Sequence, residues 1–118
     1  MSLRPSCLRN MERRVVITGM GVVSPVGSDL DTFWSNLVAG KSGVSNIEDP
    51  ALEGYDCKIA GTVKDFDPAP FFSSPKDARR SDRFAQMGMA ASVIAMKDSG
   101  VDLDQTDRDR FGCMVGSG

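Results

Sequence analysis

Apolar residues fall into two kinds of pattern along the chain. Val15-Val16-Ile17-Thr18 and Phe111-Gly112-Cys113-Met114-Val115 are short, nearly continuous apolar runs bounded by polar residues or glycines. Runs of that length without polar alternation predict strands covered on both faces, as in parallel sheets. Leu30, Phe33, Trp34, Leu37 and Val38 instead recur at helical spacing. They predict a one-sided amphipathic helix, with Ser28 as its N-cap, Asp29 and Asp31 in its first turn and Gly40 as its left-handed stop.

The longest helical pattern runs from Ser81 or Asp82 to about Ser99. Phe84, Met87, Ala91 and Ile94 form its stripe, and Gly88, Ala90, Ser92 and Ala95 are spread around the rest. Small residues on most sides predict close packing against more than one neighbour, and Gly100 followed by Val101 predicts a Schellman-type end. Between the two helices, Lys41 to Pro50 is expected to be irregular. Cys57 to Val63 forms a weak strand broken at Gly61. Pro68 and Pro70 end the next run, and Phe71-Phe72 anchors a loop onto the body of the fold.

Strand, helix, weak strand, long helix, strand is an α/β order with crossovers. Residues 11–118 are expected to form one unit, and residues 1–10 a disordered extension. The last strand and its Gly116-Ser117-Gly118 turn have no covering helix after them, so the unit is expected to be incomplete.

Composition narrows the function classes. The chain has a formal net charge of -2 and a pI near 5.0, which provide no overall attraction to nucleic acid or an anionic membrane. Cys7, Cys57 and Cys113 lack C-x-x-C spacing and there is no histidine, which argues against a disulfide framework or a zinc site and for a reducing cytoplasm. The first ten residues lack the apolar core of a secretory signal, and no stretch reaches the ~18 apolar residues of a membrane span.

Gly19-x-Gly21-x-x-Ser24 after a strand resembles a dinucleotide-binding turn. It departs from one because Ser24 replaces the third glycine and Pro25 with Gly27 delays the helix. A tight turn after a central strand accounts for it better. Lys76, Arg79, Arg80 and Arg83, interleaved with Asp77 and Asp82, form a basic cluster before and within the first turn of the long helix. Cations there oppose the helix dipole, so folding alone gives little reason for them and a partner carrying phosphate or carboxylates would. No cysteine has an activating neighbour, and the commonest general base is absent, so no catalytic constellation is present.

The run from Arg13 to Gly27 resembles the opening of the bacterial β-ketoacyl-[acyl carrier protein] synthases, the class II enzymes in particular. Ala39 to Val44, Ala60 to Phe66, Ala95 to Gly100 and Gly116-Ser117-Gly118 follow in that family's order. The resemblance implies a thiolase-like fold of layered α/β/α/β/α type, with this chain as the first part of its amino-terminal half. It implies an acyltransferase that takes an acyl chain onto a cysteine and condenses it, with decarboxylation, with malonyl on acyl carrier protein in fatty acid elongation. Implied partners are acyl-carrier and malonyl-carrier proteins and a second subunit of a homodimer, with no nucleic acid, membrane, organic cofactor or metal. The family's catalytic residues match nothing up to Gly118, so the chain alone is expected to be inactive. Lys76, Arg79 and Arg80 match the segment that docks the acidic carrier protein, whereas Pro75 stands where relatives often have another cation. Alternatives are a polyketide-type condensing enzyme and a stand-alone α/β binding module.

Overall fold

In the computed structural model, residues 14–116 are described. The first helix, α1, spans Leu30–Val38. Its cap is Asp29 and not Ser28: the Asp29 carboxylate accepts the Thr32 amide at 2.8 Å. A carboxylate both satisfies an orphan amide and favours the positive helix end, so it outcompetes the neighbouring hydroxyl. Gly40 ends the helix at φ +67°, in the left-handed region where glycine carries no Cβ penalty. Leu30 and Phe33 are half-buried, but Trp34, Leu37 and Val38 remain exposed, so the apolar stripe is covered at only one end.

The segment expected to be irregular contains β1, Val44–Asn46, which pairs antiparallel with β2, Ile59–Gly61. The register sets Val44 against Gly61, Ser45 against Ala60 and Asn46 against Ile59. Gly61 is therefore the last residue of the ladder, and the strand expected over Cys57 to Val63 is confined to Ile59–Gly61. Pro25 explains the glycine: a Cβ on Gly61 would lie 3.2 Å from the Pro25 Cγ, and one on Gly43 would lie 2.8 Å from its Cβ. Glycines at these places let the proline ring sit close over the hairpin.

A short helix, α2, spans Pro75–Arg80 and is separated by Ser81 and Asp82 from the long α3, Arg83–Ser99. Ala90 of α3 is fully buried. Gly19 and Gly21 lie directly against the α3 backbone: a Cβ on Gly21 would meet the Ala91 carbonyl and lie 2.8 Å from the Ala95 nitrogen, and one on Gly19 would lie 2.7 Å from the Ser99 Cα. The Met20 amide donates to the Asp98 carboxylate at 2.9 Å and fixes the crossing. The turn comes later, where Ser24 and Gly27 exchange backbone hydrogen bonds at 3.0 and 3.2 Å. The glycine pair is thus a helix contact, with its open faces occupied by α3. Gly100 is left-handed at φ +63°, but Val101 donates to the Ser99 hydroxyl at 3.2 Å instead of a helix carbonyl, so the full Schellman pattern is not made.

Neither long apolar run is a strand among the described residues. Val15–Thr18 and Phe111–Val115 carry no ladder pairing, and the hairpin is the only sheet described. Val15 is 89% exposed, Ile17 82% and Met114 99%. Thr18 at the end of the first run and Phe111 to Met114 of the second line a shared cleft of about 350 Å³ with Ser92, Ala95 and Ser99 of α3. A strand needs a partner edge as well as β-branched residues, and neither run is paired with one among the described residues. The expected parallel crossover sheet is therefore absent from the described part. The expected tail at residues 1–10, Cys7 and the closing Ser117-Gly118 lie outside the described residues. Among the described residues, no helix is long and apolar enough to cross a membrane.

Candidate functional site

The basic cluster is built on α2. Ser74 caps it by accepting the Lys76 amide at 3.2 Å, and Pro75 occupies the first turn, where a missing N–H costs nothing. Ala78, 2% exposed, faces inward. Lys76, Arg79 and Arg80 stand at i, i+3 and i+4 and are all exposed, which places three cations on one outward face. Among the described residues the one ion pair is Arg108 with Asp104 at 2.8 Å, so none of the three α2 cations is in a direct ion pair there.

A separate helix ending before Ser81, not expected from the sequence, changes the electrostatics of cations expected to lie before and within the first turn of the long helix. Arg79 and Arg80 lie in the last turn of α2, where cations favour the dipole by a few tenths of a kcal/mol each. Local folding thus gives a reason for two of the three cations, and Lys76, in the first turn, remains opposed to it. Arg83 separates from the cluster altogether. Its guanidinium sits 4.9 Å from the Phe66 ring centroid and donates long hydrogen bonds to the carbonyls of Phe66, at 3.4 Å, and Val63, at 3.3 Å.

Two further contacts hold α2 in place. The Gln86 side chain donates to the Ala78 carbonyl at 2.8 Å and to the Ser81 carbonyl at 3.0 Å, which satisfies acceptors left open where α2 ends. Phe66 stacks on Phe71 with centroids 6.2 Å apart, and Phe71 closes the 3-10 turn Ala69–Phe71 that packs against both α2 and α3. Of the expected aromatic anchor Phe71-Phe72, Phe71 makes the stacking contact, and Phe72 is half-buried beside it. Arg83 and Gln86 went unrecognised as supports because their partners are backbone carbonyls, which leave no sequence signature.

Elsewhere the chemistry is sparse. Cys57 and Cys113 are exposed; Cys113 lines an apolar groove with Phe84, Met89 and Val115 and has no cation in that lining. Among the described residues, no three His, Cys, Asp or Glu side chains gather to hold a metal. A polar cleft of about 310 Å³ lies between the Ser24–Ser28 turn and the hairpin, with Ser45, Thr62 and Lys64 on its wall. The Ser24 hydroxyl is fully engaged within its own turn. Among the described residues the arrangement offers an exposed basic face on α2 and no nucleophile beside a base.

Residues 12–118 match the family described as "Beta-ketoacyl synthase, N-terminal domain". The chain is 44% identical over 107 residues to 3-oxoacyl-[acyl-carrier-protein] synthase 2 of Vibrio cholerae serotype O1, covering 91% of this chain and 26% of that protein. It is 39% identical over 109 residues to the protein of the same name in Staphylococcus aureus strain COL, covering 92% and 26%. Among solved structures it resembles "The ishigamide ketosynthase/chain length factor", with a TM-score of 0.68 and 35% identity, over 78% of this chain and 23% of that one. The chain therefore spans about a quarter of the length of the curated relatives it matches. This likeness also fixes the fold class as thiolase-like α/β.

Proposed function

Since the chain belongs to the β-ketoacyl synthase family, we propose that it is the first part of the amino-terminal half of a 3-oxoacyl-(acyl carrier protein) synthase of class II. In the reaction proposed for the whole enzyme, an acyl group passes from its carrier to an enzyme cysteine. Malonyl-carrier then loses carbon dioxide, and the resulting carbanion forms a carbon–carbon bond to the acyl carbonyl, releasing the cysteine thiolate. The 44% identity to the Vibrio cholerae synthase over nearly all of this chain supports this reading. The chain contains no histidine, and its part in this reading is structural and recognitional.

Within that part, Lys76, Arg79 and Arg80 dock the acidic carrier protein. Three exposed cations on one face of α2, none in a direct ion pair among the described residues, support the assignment. Such a surface steers an anionic partner and holds it more weakly as salt rises. A homodimer in the cytoplasm without a membrane anchor completes the proposal. A polyketide-type condensing enzyme is the second reading, with weak support from the likeness to the ishigamide ketosynthase/chain length factor. The bare apolar segments around Ile17 and Met114 count against a stand-alone binding module.

The whole protein incubated with acyl-carrier and malonyl-carrier proteins is expected to release carbon dioxide and form 3-oxoacyl-carrier, while the isolated chain forms none. Absence of the 3-oxo product from the whole protein would rule the enzyme out, and repeated rounds without reduction would favour the polyketide reading. Arg79→Glu with Arg80→Glu is expected to weaken carrier binding tenfold or more at low salt, on the order of the effect of opposing charges at an interface. Unchanged affinity would remove the docking role.

A further inference from the structure

Arg83 belongs to the basic cluster by sequence but not by function. We infer that Arg83 is the positioning residue of the α2 docking face: it clamps the Val63–Phe66 loop to the start of α3 and through that loop sets where Lys76, Arg79 and Arg80 point. The inference rests on the carrier-docking reading of α2.

The geometry forms a continuous chain of contacts. The guanidinium spans two carbonyls, those of Val63 and Phe66, and lies over the Phe66 ring at 4.9 Å. Phe66 stacks on Phe71 at 6.2 Å, and the 3-10 turn ending at Phe71 packs against α2 and α3. Gln86, one turn along α3 from Arg83, ties the carboxyl end of α2 through the Ala78 and Ser81 carbonyls. The docking helix is thus supported by Gln86 directly and, through the Phe66–Phe71 stack, by Arg83. At only six residues, α2 is too short to hold its own geometry, so its orientation depends on these supports.

A cation is otherwise misplaced at this site. Arg83 is the first residue of α3, where the helix dipole opposes positive charge. The planar guanidinium compensates by giving its N–H groups to two carbonyls while presenting its face to an aromatic ring. Lysine carries the same charge but lacks both the fork and the flat face. Charge and positioning are therefore separable by substitution.

The test is carrier-protein affinity of the whole protein across a salt series, for Arg83→Lys, Arg83→Gln and Phe66→Leu, with amide hydrogen exchange of residues 75–80 measured in parallel. All three variants are expected to weaken binding about three- to tenfold, with the salt dependence of the unmodified protein retained, from the loss of an exposed cation–π contact and its hydrogen bonds. Exchange across residues 75–80 is expected to quicken while the thermal midpoint of the whole protein stays within a few degrees. Phe66→Leu leaves every charge in place and removes the platform, so its loss of affinity can be read only as positioning. Wild-type affinity for Arg83→Lys together with a salt-sensitive loss for Arg83→Gln would make Arg83 a docking charge and overturn the inference. Unchanged exchange across residues 75–80 in all three variants would overturn it as well. If exchange quickens while Arg79→Glu with Arg80→Glu leaves affinity intact, the clamp stands and the docking reading alone fails.

Discussion

Asp29 shows how much a single side chain settles. The hydrogen bond from the Thr32 amide, followed by the one from the Thr32 side chain, holds its carboxyl below the usual carboxylate range. A carboxyl whose folded pKa lies below its unfolded value contributes stability that is present above the unfolded value, and this stability is lost as pH falls through the lower folded value. Asp29→Asn keeps an acceptor for the Thr32 amide but has nothing to titrate. Denaturation midpoints of the whole protein and this variant are therefore expected to differ by a constant amount at neutral pH and to converge in acid. A gap that widened as pH fell would contradict the assignment. The presence of a polar cap before Leu30 was legible in the sequence, but the choice between Ser28 and Asp29 was not, because both residue types cap well.

Between elements, the decisive contact is the crossing of the Gly19–Gly21 segment over α3. The two glycines were visible in the sequence, as was the surplus of small residues on α3. That each explained the other was not visible, since the partners are separated by about seventy positions and nothing local records them. Gly21→Ala drives a Cβ into the Ala91 carbonyl and Ala95 nitrogen, which are backbone atoms and cannot swing aside. It is expected to lower the stability of the whole protein by about 1–3 kcal/mol, as overpacking does. A Cβ on Gly112 meets nothing within 4 Å among the described residues, which makes Gly112→Ala a contrasting control within the chain. Equal melting temperatures for Gly21→Ala and the unmodified protein would place the crossing elsewhere. The α2–α3 break follows the same rule. Ser81 and Asp82 permit a continuous helix or two, and the carbonyls that Gln86 takes up favour two.

Over the whole molecule, the described residues lack a core of ordinary size. Ala78 and Ala90 are the only buried apolar residues among them, and neither side chain is large. Burial of apolar area is the main favourable term in folding, at roughly 25 cal/mol per Å², so such a chain has little to set against its conformational entropy. The isolated 118-residue polypeptide is expected to melt broadly and to bind a hydrophobic dye. A sharp, cooperative transition in dilute solution would show that these residues suffice for a fold. The segments that would bind the dye, Val15–Ile17 and Met114–Val115, are those whose composition calls most strongly for a sheet.

Residue order by itself determined the two longer helices, the left-handed stops at Gly40 and Gly100, and the family, because spacing, caps and short motifs are local properties, whereas the short α2 was not legible. Tertiary structure alone decided that Gly61 joins a hairpin, that the paired glycines serve α3, that Arg83 leaves the basic cluster for Phe66, and that neither apolar run pairs as a strand. Each of those outcomes depends on which distant backbone or ring lies within a few ångströms, and no local pattern of residue types encodes that distance.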